Sequence, residues 1–153
     1  MTWTFNAQTF DTIPEDCKAI GFVYCITNTQ TGKRYIGKKN LYSLRTKIKT
    51  VQLKTTGEKK KKRVRTRSES DWKTYYGSSE DLKKDVDLLG TDSFHREILR
   101  FCDTKGELSY YEAKYQFDYD VLLNPANFYN RWISVKVHTI HLKNLLDTQV
   151  EIE

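Results

Sequence analysis

Tyr24 and Tyr35 stand eleven positions apart in the stretch FVYCITNTQTGKRYIG, residues 22–37. A phenol ionises near pH 10, so either tyrosine could serve as a base only where cations stabilise its phenolate. Lys33, Arg34, Lys38 and Lys39 crowd the second tyrosine. Propensity alone also allows a blander reading, in which both are strand aromatics facing each other as a cross-strand pair.

The basic residues are concentrated in one segment. Eleven of them lie between Arg45 and Arg67 against the single Glu58, giving that segment +10 in a chain of net charge +6 and leaving −4 elsewhere. Such a limb suits a polyanion, most often nucleic acid, although a solvated loop without a partner has the same composition. The 153 residues are enough for one domain with a core that needs no disulfides, and 38% hydrophobic content excludes a disordered chain. No apolar run reaches membrane-spanning length, and the first residues lack the basic and apolar regions of a signal peptide. Cys17, Cys25 and Cys102 are odd in number and far apart, as expected of reduced thiols in a cytoplasmic protein.

The elements that must position the tyrosines follow from pattern. Residues 1–19 read as a lead-in anchored by Trp3, Phe5, Phe10 and Ile13. A hairpin at about 20–38 turns through Asn28 to Gly32. Asn40 to Arg45 is helical or irregular, and 46–68 is a basic arm, two-stranded or disordered, with a turn at Thr56-Gly57. Ser78 or Ser79 caps a helix that buries Leu82, Val86 and Leu89 and stops at Gly90. Residues 93–101 form a third strand with Phe94 and Ile98 on one side, which Arg96 would share. Thr104 caps a long helix at about 105–122. A short strand at 133–138 and a tail of helical or irregular form complete the chain. The fold class is α+β: a small mixed or antiparallel three-stranded sheet flanked by helices, with the basic insertion at about 46–70 and a tail at 133–153 in a single domain, 1–153.

Other chemistries find little support. His138 and His141 are three apart without a second ligand pair, and His95 lies within a strand. No Ser-His-Asp set, P-loop or dinucleotide motif appears. Trp72, Tyr75 and Tyr76 could stack on bases, but core anchoring where the arm returns is the commoner role.

Phe22-Val23-Tyr24, ten residues, then Tyr35-Ile36-Gly37 resembles the paired signature of the GIY-YIG nuclease family. The second half matches outright; in the first, Phe22 occupies the glycine position and Gly21 sits one place early. Glu112 is placed like the family's acidic residue on its last long helix, and Tyr129-Asn130 like its Tyr-Asn pair, so the resemblance covers about residues 20–132. It implies a metal-dependent endonuclease of the phage or homing type that hydrolyses phosphodiester bonds.

In that resemblance Tyr24 and Tyr35 handle the attacking water and its proton. Glu112 holds one Mg²⁺ (or Mn²⁺), a hard cation that keeps most of its waters. Asn130 places the active-site backbone. Arg45 matches the family's phosphate-neutralising arginine by count, with Lys38, Lys73 or an arm arginine as replacements should the arm interrupt that helix. Lys49 or Tyr76 matches the residue one turn later. Lys59, Lys60, Lys61, Lys62, Arg63, Arg65 and Arg67 would grip double-stranded DNA, and a homodimer would let a single-site nuclease cut both strands. A non-catalytic nucleic-acid-binding module on the same scaffold is the alternative.

Overall fold

One interior strand of the sheet is apolar on both faces because it is covered on both. β3 (Gly21–Asn28) pairs antiparallel with β4 (Arg34–Asn40) on one side and with β7 (Phe94–Cys102) on the other. In the computed structural model, which describes residues 2–150, alternate residues of β3 point to opposite faces. Phe22, Tyr24 and Ile26 enter a core shared with Trp3, Leu41, Trp72, Leu82 and Tyr129. Val23 and Cys25 enter a second core with Ile36, Leu108, Val121 and Phe128. Each fully buried side chain of this size contributes about 1.5–3 kcal/mol relative to exposure.

The sheet has five strands rather than the expected three. The lead-in supplies β1 (Trp3–Phe5) and β2 (Gln8–Phe10), joined through Asn6 and Ala7 at positive φ. The order is β2-β1-β7-β3-β4, with β1 and β7 parallel and every other pair antiparallel. Three-residue strands are too short for period-two alternation to show in sequence. They form because Trp3 is buried against the rings of Phe22 and Tyr24, its indole N–H donating to the Trp72 carbonyl at 2.7 Å.

Directly after β4 the chain enters a strand instead of a helix. Residues 42–69 form β5 (Tyr42–Gln52) and β6 (Lys59–Glu69), which pair only with each other as a separate two-stranded sheet. This ribbon is almost wholly exposed. It returns through a 3₁₀ turn at Trp72–Thr74, whose buried Trp72 anchors it in the first core.

α1 (Glu80–Leu89) is capped by Ser79, which accepts from Leu82 N–H, and ends at Gly90 with φ +84°. α2 (Lys105–Asp118) is capped by Thr104, which accepts from Glu107 N–H at 3.1 Å. It stops short of the expected 122, and Asp120 then turns the chain at φ +51°. The expected strand at 133–138 is absent; these residues have no regular structure. His138 and His141 cap a 3₁₀ turn at Thr139–Leu142 that leads into α3 (Lys143–Val150). Met1 and the last tail residues, 151–153, lie outside the described residues.

Candidate active site

The exposed edge of β4 is where the site assembles. Residues 127–130 run alongside that edge: Arg34 N–H donates to the Asn127 carbonyl at 2.9 Å, and Tyr129 N–H to the Arg34 carbonyl at 2.8 Å. Asn130, buried, then completes the strand with its side chain. Its Oδ1 accepts from Ile36 N–H at 3.0 Å and its amide donates to the Ile36 carbonyl at 2.8 Å. Gln116 of α2 donates to the same carbonyl at 3.0 Å. An asparagine here acts as a further strand backbone, fixing Ile36 between Tyr35 and Gly37.

Around this edge lies a cleft of about 520 Å³ lined by Tyr35, Ser78, Glu112, Gln116, Asn130 and Trp132, among others. Tyr35 reaches it from the sheet and Glu112 from α2. The Tyr35 hydroxyl is 2.8 Å from Ser78 Oγ. The Glu112 side chain is 16% exposed; its carboxylate accepts from the backbone N–H of Lys38 and lies 4.0 Å from the Lys38 ammonium. Burial pushes the Glu112 carboxyl above the usual range, partly offset by Lys38. Lys38 also donates to Ser109 at 3.0 Å. At the cleft's outer wall Arg131 pairs with Asp81 at 3.0 Å, and its hydrogen bond lowers the Asp81 carboxyl.

The two tyrosines are not equivalent. Tyr35 lines the cleft, whereas Tyr24 is 1% exposed and sits behind it, its ring 6.2 Å from that of Tyr35. Strand alternation puts Tyr24 on the face of the first core, beside a register irregularity in which Leu99 is the extra residue of β7. Burial raises the Tyr24 phenol well above its ordinary value, and Tyr75, its hydrogen-bond partner, raises it further. Tyr35 is raised too, by burial first, with Ser78 opposing. The expectation that flanking cations would favour phenolate meets a different environment: Lys33 lies over the Tyr129 ring, Arg34 over Tyr119 and Phe128, and Lys39 over Tyr75. At neutral pH both phenols keep their protons.

The motif glycine has a steric explanation. A Cβ on Gly37 would stand 2.6 Å from the Tyr24 hydroxyl and 2.9 Å from the Tyr35 ring, so only hydrogen fits between the two tyrosines. Gly21 is crowded equally, by the Lys39 carbonyl at 2.6 Å and by Leu108.

Tyr24, Tyr35, Lys38, Glu112 and Asn130 thus come together, but two candidates do not. Arg45 is on β5, opposite Thr66 and exposed, and lines no part of the cleft. Its helix is absent because the ribbon begins at Tyr42. Tyr76 lies under the Arg96 guanidinium at 4.2 Å and faces a separate depression with Thr74 and Val86. Lys73 is exposed near Glu69, and Lys49 is on the ribbon.

Several participants escape sequence reasoning. Ser78 and Gln116 carry no signal of their own. Tyr75, read from sequence as a base-stacking or core-anchoring residue, bonds Tyr24. Arg96, 3% exposed, donates to the carbonyls of Lys73 and Tyr75 at 2.9 Å and so holds the segment that carries Tyr75. Its place on the buried side of β7 is the available clue. A second cleft of about 840 Å³, lined by Lys38, Lys39, Tyr42, Arg67 and Lys105 among others, continues from Lys38 to the base of the ribbon.

Among the described residues no group of three or more His, Cys, Asp or Glu converges as a closed metal cage. A lone, partly desolvated carboxylate in an open cleft still fits a hydrated Mg²⁺-type cation, which needs one or two carboxylates and keeps several waters.

Comparison with known proteins agrees with this geometry. A family model described as "Putative endonuclease segE, GIY-YIG domain" matches residues 3–133. Neither curated proteins nor solved structures give a match. With the two tyrosines, the motif glycine, the helix glutamate and the backbone-clamping asparagine gathered at one strand edge within the matched span, the chain belongs to the GIY-YIG domain family of segE-type endonucleases.

Proposed function

We propose that this protein is a divalent-metal-dependent endonuclease that hydrolyses phosphodiester bonds in double-stranded DNA at the β4-edge cleft. The observation that carries the reading is the convergence of Tyr35 and Glu112 on one cleft whose backbone is fixed by Asn130. Tyr35, neutral and held by Ser78, orients the attacking water by hydrogen bonding. Tyr24 supports it from behind, packed against Gly37 and bonded to Tyr75. Lys38 takes the phosphate-neutralising role that counting assigns to Arg45, because its ammonium is beside Glu112 while Arg45 is on the ribbon. Glu112 would hold the ion, Mg²⁺ or Mn²⁺. Bound there, the ion would act as a Lewis acid on the phosphoryl oxygens.

The basic ribbon, with Lys59 to Lys62, Arg63, Arg65 and Arg67, grips the duplex. One cleft per chain cuts one strand at a time, so a double-strand break takes two chains or two encounters. Among the described residues no helix is long and apolar enough to cross a membrane.

Plasmid DNA incubated with Mg²⁺ and either wild-type protein or Glu112→Ala tests the proposal. Nicking or linearisation by wild type alone is expected. Intact plasmid in both lanes, with binding retained in a gel-shift, would leave the non-catalytic binding module.

A further inference from the structure

The ribbon is chemically two-faced. In an antiparallel ladder, directly opposed residues point to the same side, and the register pairs Leu44 with Arg67, Thr46 with Arg65 and Ile48 with Arg63. One face therefore carries a row of three guanidinium groups beside Leu44 and Ile48, 58% and 66% exposed. The other face pairs Lys49 with Lys62, Val51 with Lys60 and Lys47 with Val64, and carries Arg45 opposite Thr66. It is a face of ammonium groups with one guanidinium. Toward the tip the distinction fades, since Lys59 and Lys61 share the arginine side.

These two chemistries suit different parts of a duplex. A guanidinium is a planar fork matched to the O6 and N7 acceptors of guanine, and an aliphatic side chain contacts the thymine methyl; both targets are in the major groove. Ammonium groups are point charges suited to phosphates, which carry no sequence information. Size agrees. Strands of 11 residues each extend about 36 Å, close to one turn of duplex, and a two-stranded ribbon is narrow enough for the major groove but not the minor. The arginine row is also oriented at its base, where the Arg67 guanidinium lies 3.5 Å over the Tyr42 ring.

We infer that the β5–β6 ribbon lies in the major groove of duplex DNA with its Arg63-Arg65-Arg67 face on the base edges, selecting the site at which the cleft acts, while its lysine face supplies non-specific attraction. Site selection for cleavage rests on the nuclease reading; binding in the groove does not. The deep, narrow major groove of A-form RNA would not admit the ribbon.

The test is a binding selection from a randomised duplex library of about two helical turns in EDTA, so that cleavage plays no part. Full-length wild type, R63K/R65K/R67K and K47Q/K49Q/K60Q/K62Q are compared. Wild type is expected to enrich guanine at fixed positions. The arginine-to-lysine variant should flatten that preference while its salt slope, log K against log salt, stays within about one unit. The lysine-to-glutamine variant should keep the preference and lose about 3–4 units of slope. Methylating guanine N7 in the selected duplex should abolish selective binding, since that atom faces the major groove.

A wild type without base preference, a preference that survives the arginine change, or equal competition by duplex RNA would overturn the inference. So would loss of preference in the lysine variant or indifference to N7 methylation. Base preference without cleavage would sink the nuclease reading alone; cleavage without base preference would sink the ribbon alone.

Discussion

The cleft and the ribbon are adjoining regions built on opposite principles. The backbone around the cleft is gripped by buried side chains: Asn130 and Gln116 hold Ile36, and Arg96 holds the Tyr75 carbonyl behind Tyr24. The ribbon has no core. Its strands pair with one another, and apart from Tyr42 and Val64 every residue of both strands is exposed. Chemistry on a phosphate demands placement to within about 1 Å, which burial provides. Attraction to a polyanion demands only charge density and reach. The same chain therefore buries aromatic side chains such as Tyr24 and Tyr129 around the cleft and concentrates exposed basic residues on the ribbon.

Four perturbations sharpen or break that contrast. The largest effect should come from Tyr35→Phe, which removes the hydroxyl that bonds Ser78 at the cleft. Cleavage rate should fall about 10²–10⁴-fold with melting temperature nearly unchanged, as Tyr35 is half-buried and its exposed partner Ser78 can turn to water. A plasmid-nicking rate indistinguishable from wild type would remove Tyr35 from the reaction.

Next, the ribbon can be excised without disturbing the sheet. Replacing residues 45–66 by Asn-Gly joins Leu44 and Arg67, which already face each other across the ladder. DNA affinity at moderate salt should drop by about 10²-fold or more, with a flatter salt dependence, while melting temperature barely moves. Cooperative unfolding at a much lower temperature would show that the ribbon is part of the core after all.

Gly37→Ala and Tyr24→Phe probe the buried side of the cleft. The alanine methyl must displace the Tyr24 hydroxyl, and the phenylalanine leaves Tyr75 without its bond. Each should cost about 1–3 kcal/mol in urea unfolding. The double variant should lose less than the sum, because the Tyr24→Phe ring lacks the oxygen with which the methyl collides. Full additivity would contradict the contact.

The smallest effect concerns Glu112. Its carboxyl is raised by burial, so the folded state holds that proton to higher pH than the unfolded chain does. Its contribution to stability is then greatest in acid and declines as pH rises through the folded value. Glu112→Gln should therefore raise melting temperature relative to wild type in mild alkali and not in acid near the ordinary carboxyl range. The opposite trend would mean that the Lys38 pairing outweighs desolvation.

Local signals in the sequence are reliable where a local cause exists. Ser79 and Thr104 cap their helices by bonding N–H groups three residues on, and Gly90 ends the first by adopting positive φ; all three are short-range events. The hairpin from β3 to β4 is legible because its turn chemistry lies between an apolar run and the returning Arg34-Tyr35-Ile36. What fails is non-local. The lead-in becomes strands only because β7, far later in the chain, offers an edge parallel to β1. The long helix ends early because Asp120 turns the chain so that Val121 can reach the second core. Arg45 follows from counting, and counting assumes a helix that the ribbon displaces.

The sequence by itself determined the chemistry available: two tyrosines at a fixed spacing, a helix glutamate, a Tyr-Asn pair and a concentrated basic limb. Residue type and short-range spacing carry that information directly. Only the tertiary structure decided which tyrosine meets the cleft, which cation stands beside Glu112 and which basic residues share a face. Those outcomes depend on the side of the sheet each element covers and on the cross-strand pairing of the ribbon. Each is settled by packing or pairing between segments that the chain order does not bring together.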